Sequence, residues 1–234
     1  MPMGRGERRA AAILIGAAVL LALVMGLRGA ATWLECASFV TGAACVWLTV
    51  KENVWNFPIG LVNVAAFGVV FLRAGLFADA GLQGVYLILC ARGWYLWLHG
   101  GNDGRSLRIT RAGAGELNAL LVGVVMLTLL LWLVLRQVGG SASFWDALTT
   151  SLSLGAQWLL NRKRLESWAG WILVDAIYVP LYISKSLYLT AILYTVFLGL
   201  AIIGLHQWRS SWMSREDAGR TPEAVARPPA ACGR

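Results

Sequence analysis

Eight apolar runs, at about 10–27, 33–50, 56–73, 80–98, 117–135, 144–160, 168–184 and 186–206, follow one another along the chain with mostly short connections. Each is long enough to cross a hydrocarbon core of about 30 Å as an α-helix. Lipid offers no water to the peptide groups, so a crossing segment must bond its own N–H and C=O groups, and a helix does so within itself. The expected fold is therefore an all-α integral membrane protein embedded in a lipid bilayer. Composition agrees, with 58% hydrophobic and 14% charged residues, far from the balance of a soluble domain. The net charge of +8 does not point to nucleic acid, because the basic residues are scattered between the apolar runs and line no single face.

Those charges set the orientation instead. With the amino terminus in the cytoplasm, Arg5, Arg8, Arg9, Lys51, Arg105, Arg108, Arg111, Arg162, Lys163, Arg164 and the arginines after Trp208 all lie inside. Only Arg28, Arg73, Arg136 and Lys185 remain outside, and Arg92 falls within a span. This asymmetry predicts eight crossings with both termini cytoplasmic. The first run follows "RGERR" and has some features of a signal peptide, but at 18 residues it exceeds the usual apolar region of one, so a retained helix is expected.

The chain repeats itself. A shift of 111 superposes Trp47 on Trp158, Leu48 on Leu159, Ala80 on Ala191, Leu82 on Leu193, Gly93 on Gly204 and Trp97 on Trp208, and sets Phe77 on Tyr188. A shift of 112 in the intervening helix pairs Asn63 with Asp175 and Arg73 with Lys185. Each repeat holds three helices, so two repeats joined directly would be inverted; the helix at 117–135 between them restores a parallel arrangement. The organisation read from this is a cytoplasmic N-terminus and extra N-terminal transmembrane helix (1–32), a first three-helix repeat (33–98), a basic cytoplasmic loop with a linker helix (99–143), a second three-helix repeat (144–208) and a disordered cytoplasmic tail (209–234). Such a 3+1+3 chain is the layout of a small transporter with its site between the repeats.

The polar residues inside the spans are the candidate site. Trp168, Trp171 and Asp175 of "WAGWILVD" fall within about 60° of one another on a helix. Asp175 lies about 10 Å along the helix from Trp168, where a carboxylate costs at least about 2.5 kcal/mol and marks function by default. The competing reading is an aspartate bonded to a neighbouring helix. Two indoles beside a carboxylate suit a flat cationic or electron-poor ring. Gln83 and Tyr86 share a face of the fourth helix, and Tyr194 holds the position equivalent to Gln83 in the second repeat. Asn63, like these, serves equally well as interhelical glue. Asn56 and Gln157, near helix ends, are candidates for an exit or a cap, and Pro180 for a hinge.

No nucleotide-binding glycine loop, serine-hydrolase elbow or zinc-binding H-E-x-x-H stands in the chain, so no enzyme is expected. Cys36, Cys45, Cys90 and Cys232 have no metal-ligand spacing, and neither a metal nor a cofactor is called for. A scaffold or sensor whose polar residues only join helices is the alternative from another class.

Two stretches carry a resemblance: "GLVNVAAFGVVFLRAGLFADAGLQGVYLILCARGWYLW" (60–97) and "SLSLGAQWLLNRKRLESWAGWILVDAIYVPLYISKSLYLTAILYTVFLGLAIIGLHQW" (151–208). With the W-x-x-W at 168–171 and the paired G-W-x-x-W and G-x-x-x-W endings, residues 33–208 resemble the PnuC family of bacterial nicotinamide riboside transporters. The resemblance implies two parallel three-helix bundles joined by an inverting helix, as in SWEET-type sugar transporters, in the inner membrane. It implies facilitated diffusion of nicotinamide riboside into the cytoplasm, drawn by a nicotinamide riboside kinase that phosphorylates it there. The family's tryptophans match Trp168 and Trp171, its following polar position Asp175 and its fourth-helix glutamine Gln83; Phe77 and Leu96 depart from the pattern. Thiamine or riboflavin in the same fold is the alternative substrate, and self-association into a homo-oligomer is left open.

Overall fold

The computed structural model describes residues 5–29, 33–73, 77–101, 104–137, 143–184 and 188–220. They form α1 (Arg5–Leu27), α2 (Trp33–Val50), α3 (Asn56–Arg73), α4 (Phe77–His99), α5 (Ala114–Gln137), α6 (Ser143–Asn161), α7 (Ser167–Ser184) and α8 (Tyr188–Arg220). The helices follow the apolar runs closely, except at the end of α8. Residues 209–220, expected within a disordered tail, are helical; residues 221–234 lie outside the described residues. Packing sustains this extension. Trp212 lies against the core, the Arg111 guanidinium sits 5.7 Å from its ring centroid, and Arg215 reaches Glu52 at 3.5 Å.

Among the described residues four helices are apolar enough, over sufficient length, to cross a membrane unaided: α1 from Arg9, α5, α7, and α8 from Ala191 to Asp217. The more polar helices hide their polar groups. On α6, Thr149, Ser151, Ser153, Gln157 and Asn161 are all buried, whereas α5 exposes Leu121, Val122, Val125 and Met126. Polar groups thus face protein and apolar groups face outward, as lipid demands.

α2 packs on α3, α3 on α4, α6 on α7 and α7 on α8; across these sets α2 packs on α8 and α4 on α6. Exchanging α2 with α6, α3 with α7 and α4 with α8 returns the same pairs. α5 lies on α6, and α1 lies on α2 and α8.

The repeat persists at the level of single bonds. Trp97 Nε1–H donates to the Leu160 carbonyl at 3.1 Å, and its counterpart Trp208 donates to the Thr49 carbonyl at 3.1 Å. Thr49 and Leu160 are themselves repeat partners at the 111-residue shift. Phe57 meets Trp97 edge-on at 5.1 Å; Trp168 meets Trp208 edge-on at 5.4 Å. Glycine makes both contacts feasible, since a Cβ on Gly93 would come within 2.5 Å of the Phe57 ring and one on Gly204 within 2.5 Å of the Trp168 ring. This register removes the one-residue slip expected between α3 and α7. Both helices have 18 residues, they begin 111 positions apart, and the ring pairs hold that offset on either side. Asn63 is therefore the counterpart of Val174, and Asp175 of Val64.

α2 and α6 also stop in the same way. Glu52 N–H bonds Thr49 O at 3.0 Å and Asn53 N–H bonds Leu48 O at 2.8 Å, while Lys163 bonds Leu160 and Arg164 bonds Leu159, each at 2.9 Å. This helix-stop pattern places one residue in the left-handed region, here Glu52 at φ 54° and Lys163 at φ 50°. A side chain there costs about 1–2 kcal/mol. The two residues hold each other: Lys163 Nζ lies 3.1 Å from Glu52 Oε2 and 4.4 Å from the Trp97 ring centroid. Burial pushes the Lys163 ammonium below its usual value, and the Glu52 carboxylate opposes that shift. Residues 104–113 are strapped onto the same end. Thr110 N–H bonds Lys163 O at 3.1 Å, Leu165 N–H bonds Thr110 O at 2.9 Å, and Arg111 meets Glu166 at 3.2 Å.

Replacing Trp97 or Trp208 by Phe should lower stability in detergent by a similar amount, about 0.5–1.5 kcal/mol, because each removes one of the two hydrogen bonds to a buried carbonyl that keeps its partner within the turn; thermal unfolding of the two variants would expose any inequality. By the same measurement Lys163→Gly should be more stable than Lys163→Ala, since both lose the ion pair but only glycine relieves the left-handed backbone.

Candidate functional site

Asp175 sits halfway along the 18-residue α7 and is 4% exposed. One and two turns further on come Tyr178 and Tyr182, on the same helical face. Tyr178 stacks on Tyr182 at 5.4 Å and meets Tyr194 of α8 at 4.6 Å. Tyr194 also stacks on Tyr182 at 5.2 Å and touches Phe197 edge-on at 5.8 Å. From the other helices, Thr149 of α6 hydrogen-bonds to Tyr178, and Tyr86 of α4 hydrogen-bonds to Ser153 of α6. Helices α4, α6, α7 and α8 thus converge on one carboxyl and a group of phenols.

The sequence brings them together through spacing. On α6, Asp146, Thr149, Ser153, Gln157 and Asn161 recur every three or four residues, which aligns them on one face. Near the corner end of that face, Gln157 Nε2 donates to Asn161 Oδ1 at 2.9 Å, and Asn161 Nδ2 donates to the Leu89 carbonyl of α4 at 2.8 Å. The polar strip therefore runs from the phenols to the corner between the two repeats.

Of the residues expected at the site, Tyr194 meets Tyr178, Asp175 stands buried one turn before Tyr178 on α7, and Tyr86 reaches Ser153 of α6. The others have different neighbours. Trp168 is 2% exposed and is held in the ring contact with Trp208, its Nε1 finding no acceptor among the described residues. Trp171 is half-buried against the core. Gln83 is half-buried and packs over Gly68 of α3, where a Cβ would stand 3.6 Å from its own. Asn63 donates to Thr41 Oγ1 at 2.6 Å, and Asn56 donates to Thr49 Oγ1 at 2.8 Å, both tying α3 to α2. Pro180 lies within an unbroken α7 and is exposed. Sequence reasoning missed Tyr178, Tyr182, Thr149, Ser153 and Asn161; the three-and-four spacing of polar residues on α6 and the phenols one and two turns beyond Asp175 were the available signals.

Chemically the cluster offers an anionic or neutral carboxyl, hydroxyls that donate and accept, and aromatic faces. It suits a flat ring bearing hydroxyl groups. A separate cavity of about 750 Å³ opens at the corner end, beside Glu52, Lys163, Arg108 and Arg215.

The family model described as nicotinamide mononucleotide transporter matches residues 32–210. The chain is 24% identical over 210 residues to the nicotinamide riboside transporter PnuC of Escherichia coli (strain K12), covering 79% of this chain and 88% of that protein. It is also 24% identical over 193 residues to the riboflavin/roseoflavin transporter RibM of Streptomyces davaonensis, covering 80% and 88%. Among solved structures it shares the fold of the crystal structure of the vitamin B3 transporter PnuC, with a TM-score of 0.70 at 20% identity over 91% of this chain and 93% of that one.

The two indoles of the W-x-x-W should separate by experiment. Trp168→Ala opens a hole beside Trp208 and should cost on the order of 3 kcal/mol in thermal unfolding, whereas Trp171→Ala, at a half-exposed position, should cost clearly less.

Proposed function

The chain belongs to the nicotinamide mononucleotide transporter family, and from that premise we propose that it is a bacterial membrane transporter moving nicotinamide riboside into the cytoplasm by facilitated diffusion. The observation that carries this reading is the mid-helix cluster of Asp175, Tyr178, Tyr182, Tyr194 and Tyr86 at the junction of α4 with α6, α7 and α8. Nicotinamide riboside is a cationic flat ring on a hydroxylated sugar. The carboxyl offsets the ring charge or bonds the ribose, and the phenols supply both stacking faces and hydroxyl partners. Trp171 and Gln83 complete the binding surface, and Trp168 shapes it from behind.

In this reading residues 33–98 and 144–208 are parallel three-helix repeats joined by α5, in a 3+1+3 order that α1 precedes. The unchanged set of helix pairs on exchanging the repeats supports it, and so does the meeting of both corner turns at Glu52 and Lys163. The chain lies in the inner membrane with its basic end and both termini in the cytoplasm. Passage is uncoupled, and phosphorylation by a cytoplasmic nicotinamide riboside kinase keeps the vitamin inside. Gln157 and Asn56 border the exit, and Pro180 provides the hinge.

A second reading, riboflavin as substrate, is favoured by the likeness to RibM. Proteoliposomes decide between them. Labelled nicotinamide riboside should equilibrate across the membrane, accumulate only when the kinase and ATP are enclosed, and be displaced by unlabelled nicotinamide riboside but not by riboflavin. Asp175→Asn should weaken that uptake about tenfold, the worth of one charged hydrogen bond of roughly 1.4 kcal/mol. Undiminished uptake in Asp175→Asn removes the carboxyl from the site, and displacement by riboflavin alone reverses the choice of substrate.

A further inference from the structure

A groove of about 660 Å³ runs between α5 and α6 on the outer surface of the bundle. Leu120, Gly123, Val124 and Leu127 of α5 and Gly155 and Trp158 of α6 form its walls. It extends from Glu116 to Leu127, a rise of roughly 16 Å along the helix, which is about the depth of one leaflet of a 30 Å hydrocarbon core. Its floor is open, because a Cβ added at Gly123 meets nothing within 4 Å. At the corner end the chemistry changes. The guanidiniums of Arg92 and Arg162 lie 4.7 and 4.4 Å from the centroid of the Trp158 ring. Glu116, the one carboxylate lining the groove, is matched by Arg162 at 3.4 Å and Arg164 at 2.9 Å, so Arg92 leaves the mouth positive.

We propose that this groove is a binding site for one anionic phospholipid of the basic-end leaflet, with an acyl chain lying between α5 and α6 and its phosphate held by Arg92 and Arg162 over Trp158. Charge complementarity selects the occupant. An apolar slot one leaflet deep with two arginines and an indole at headgroup level matches an anionic lipid in length, polarity and sign. The bound chain fills the seam between α5 and α6 and braces the linker helix against the second repeat.

Native mass spectrometry of the full chain in detergent tests this, with phosphatidylglycerol, phosphatidylcholine and inorganic phosphate as separate additions. A one-to-one phosphatidylglycerol complex should survive, phosphatidylcholine should bind about tenfold more weakly, and inorganic phosphate should neither bind nor displace the lipid. Gly123→Leu, whose Cβ meets no neighbouring atom within 4 Å and whose side chain enters the groove, should abolish lipid retention while leaving lipid-free thermal unfolding nearly unchanged. Arg92→Gln should erase the preference for phosphatidylglycerol but keep binding to the groove. Equal retention of the two lipids by the native chain would overturn the proposal, as would full retention by Gly123→Leu. Displacement by inorganic phosphate would reduce it to a plain anion site, and a disulfide-linked dimer formed by Gly123→Cys but not by the native chain would assign the groove to a second copy.

Discussion

Two indole N–H groups, each reaching across to a backbone carbonyl at the end of a helix in the other repeat, hold this fold in register. Helix ends leave carbonyls without partners, and a bundle in lipid cannot leave many of them dry. Leu160 O and Thr49 O each accept one bond from their own turn, and Trp97 and Trp208 add a second from the other repeat, so each repeat ties itself to the helix end of the other. The aromatic contacts to Phe57 and Trp168, and the glycines that admit them, follow from where those two indoles must stand.

With the corners fixed, the rest of the interior can be polar. α6 turns its hydroxyls and amides toward α4 and α7, and α7 turns Asp175 and its phenols toward α8. Such groups would be costly against lipid, and they are kept from it by outer positions such as Val85 and Ile88 of α4, Leu173 of α7 and Ile192 of α8, and by α5 lying over α6. The polar interior of the bundle is anchored by the joints at one end. The loop strapped over those joints and the long α8 add to the same assembly instead of forming a separate domain.

Much of the fold was legible in the chain itself. Apolar length placed eight helices to within a few residues, and the 111-residue recurrence of Gly93, Trp97, Gly204 and Trp208 marked a repeat whose matched residues turn out to form the joints. The end of α8 was not legible, because its stability comes from Arg111 and Glu52, residues distant in sequence. At the site, Asp175 stood out since a lone carboxylate in an apolar run has few explanations. Tyr178 and Tyr182 did not, since tyrosine is ordinary in membrane helices, and only tertiary packing reveals three phenols stacked together. Trp168 and Trp171 share a helical face, and both were expected at the site. Periodicity shows direction but not which neighbour waits there, and for Trp168 that neighbour is Trp208.

The meeting of Glu52 with Lys163 bears on symmetry as much as on stability. These residues stand 111 positions apart, in equivalent helix-stop turns, and they meet each other. Two separate identical subunits related by a two-fold axis would be forced to set like against like there, glutamate on glutamate or lysine on lysine. A single chain holding both halves can put unlike charges there. With Glu52 in one half and Lys163 in the other the halves are not interchangeable, and neither could be paired with a duplicate of itself without setting two equal charges against each other.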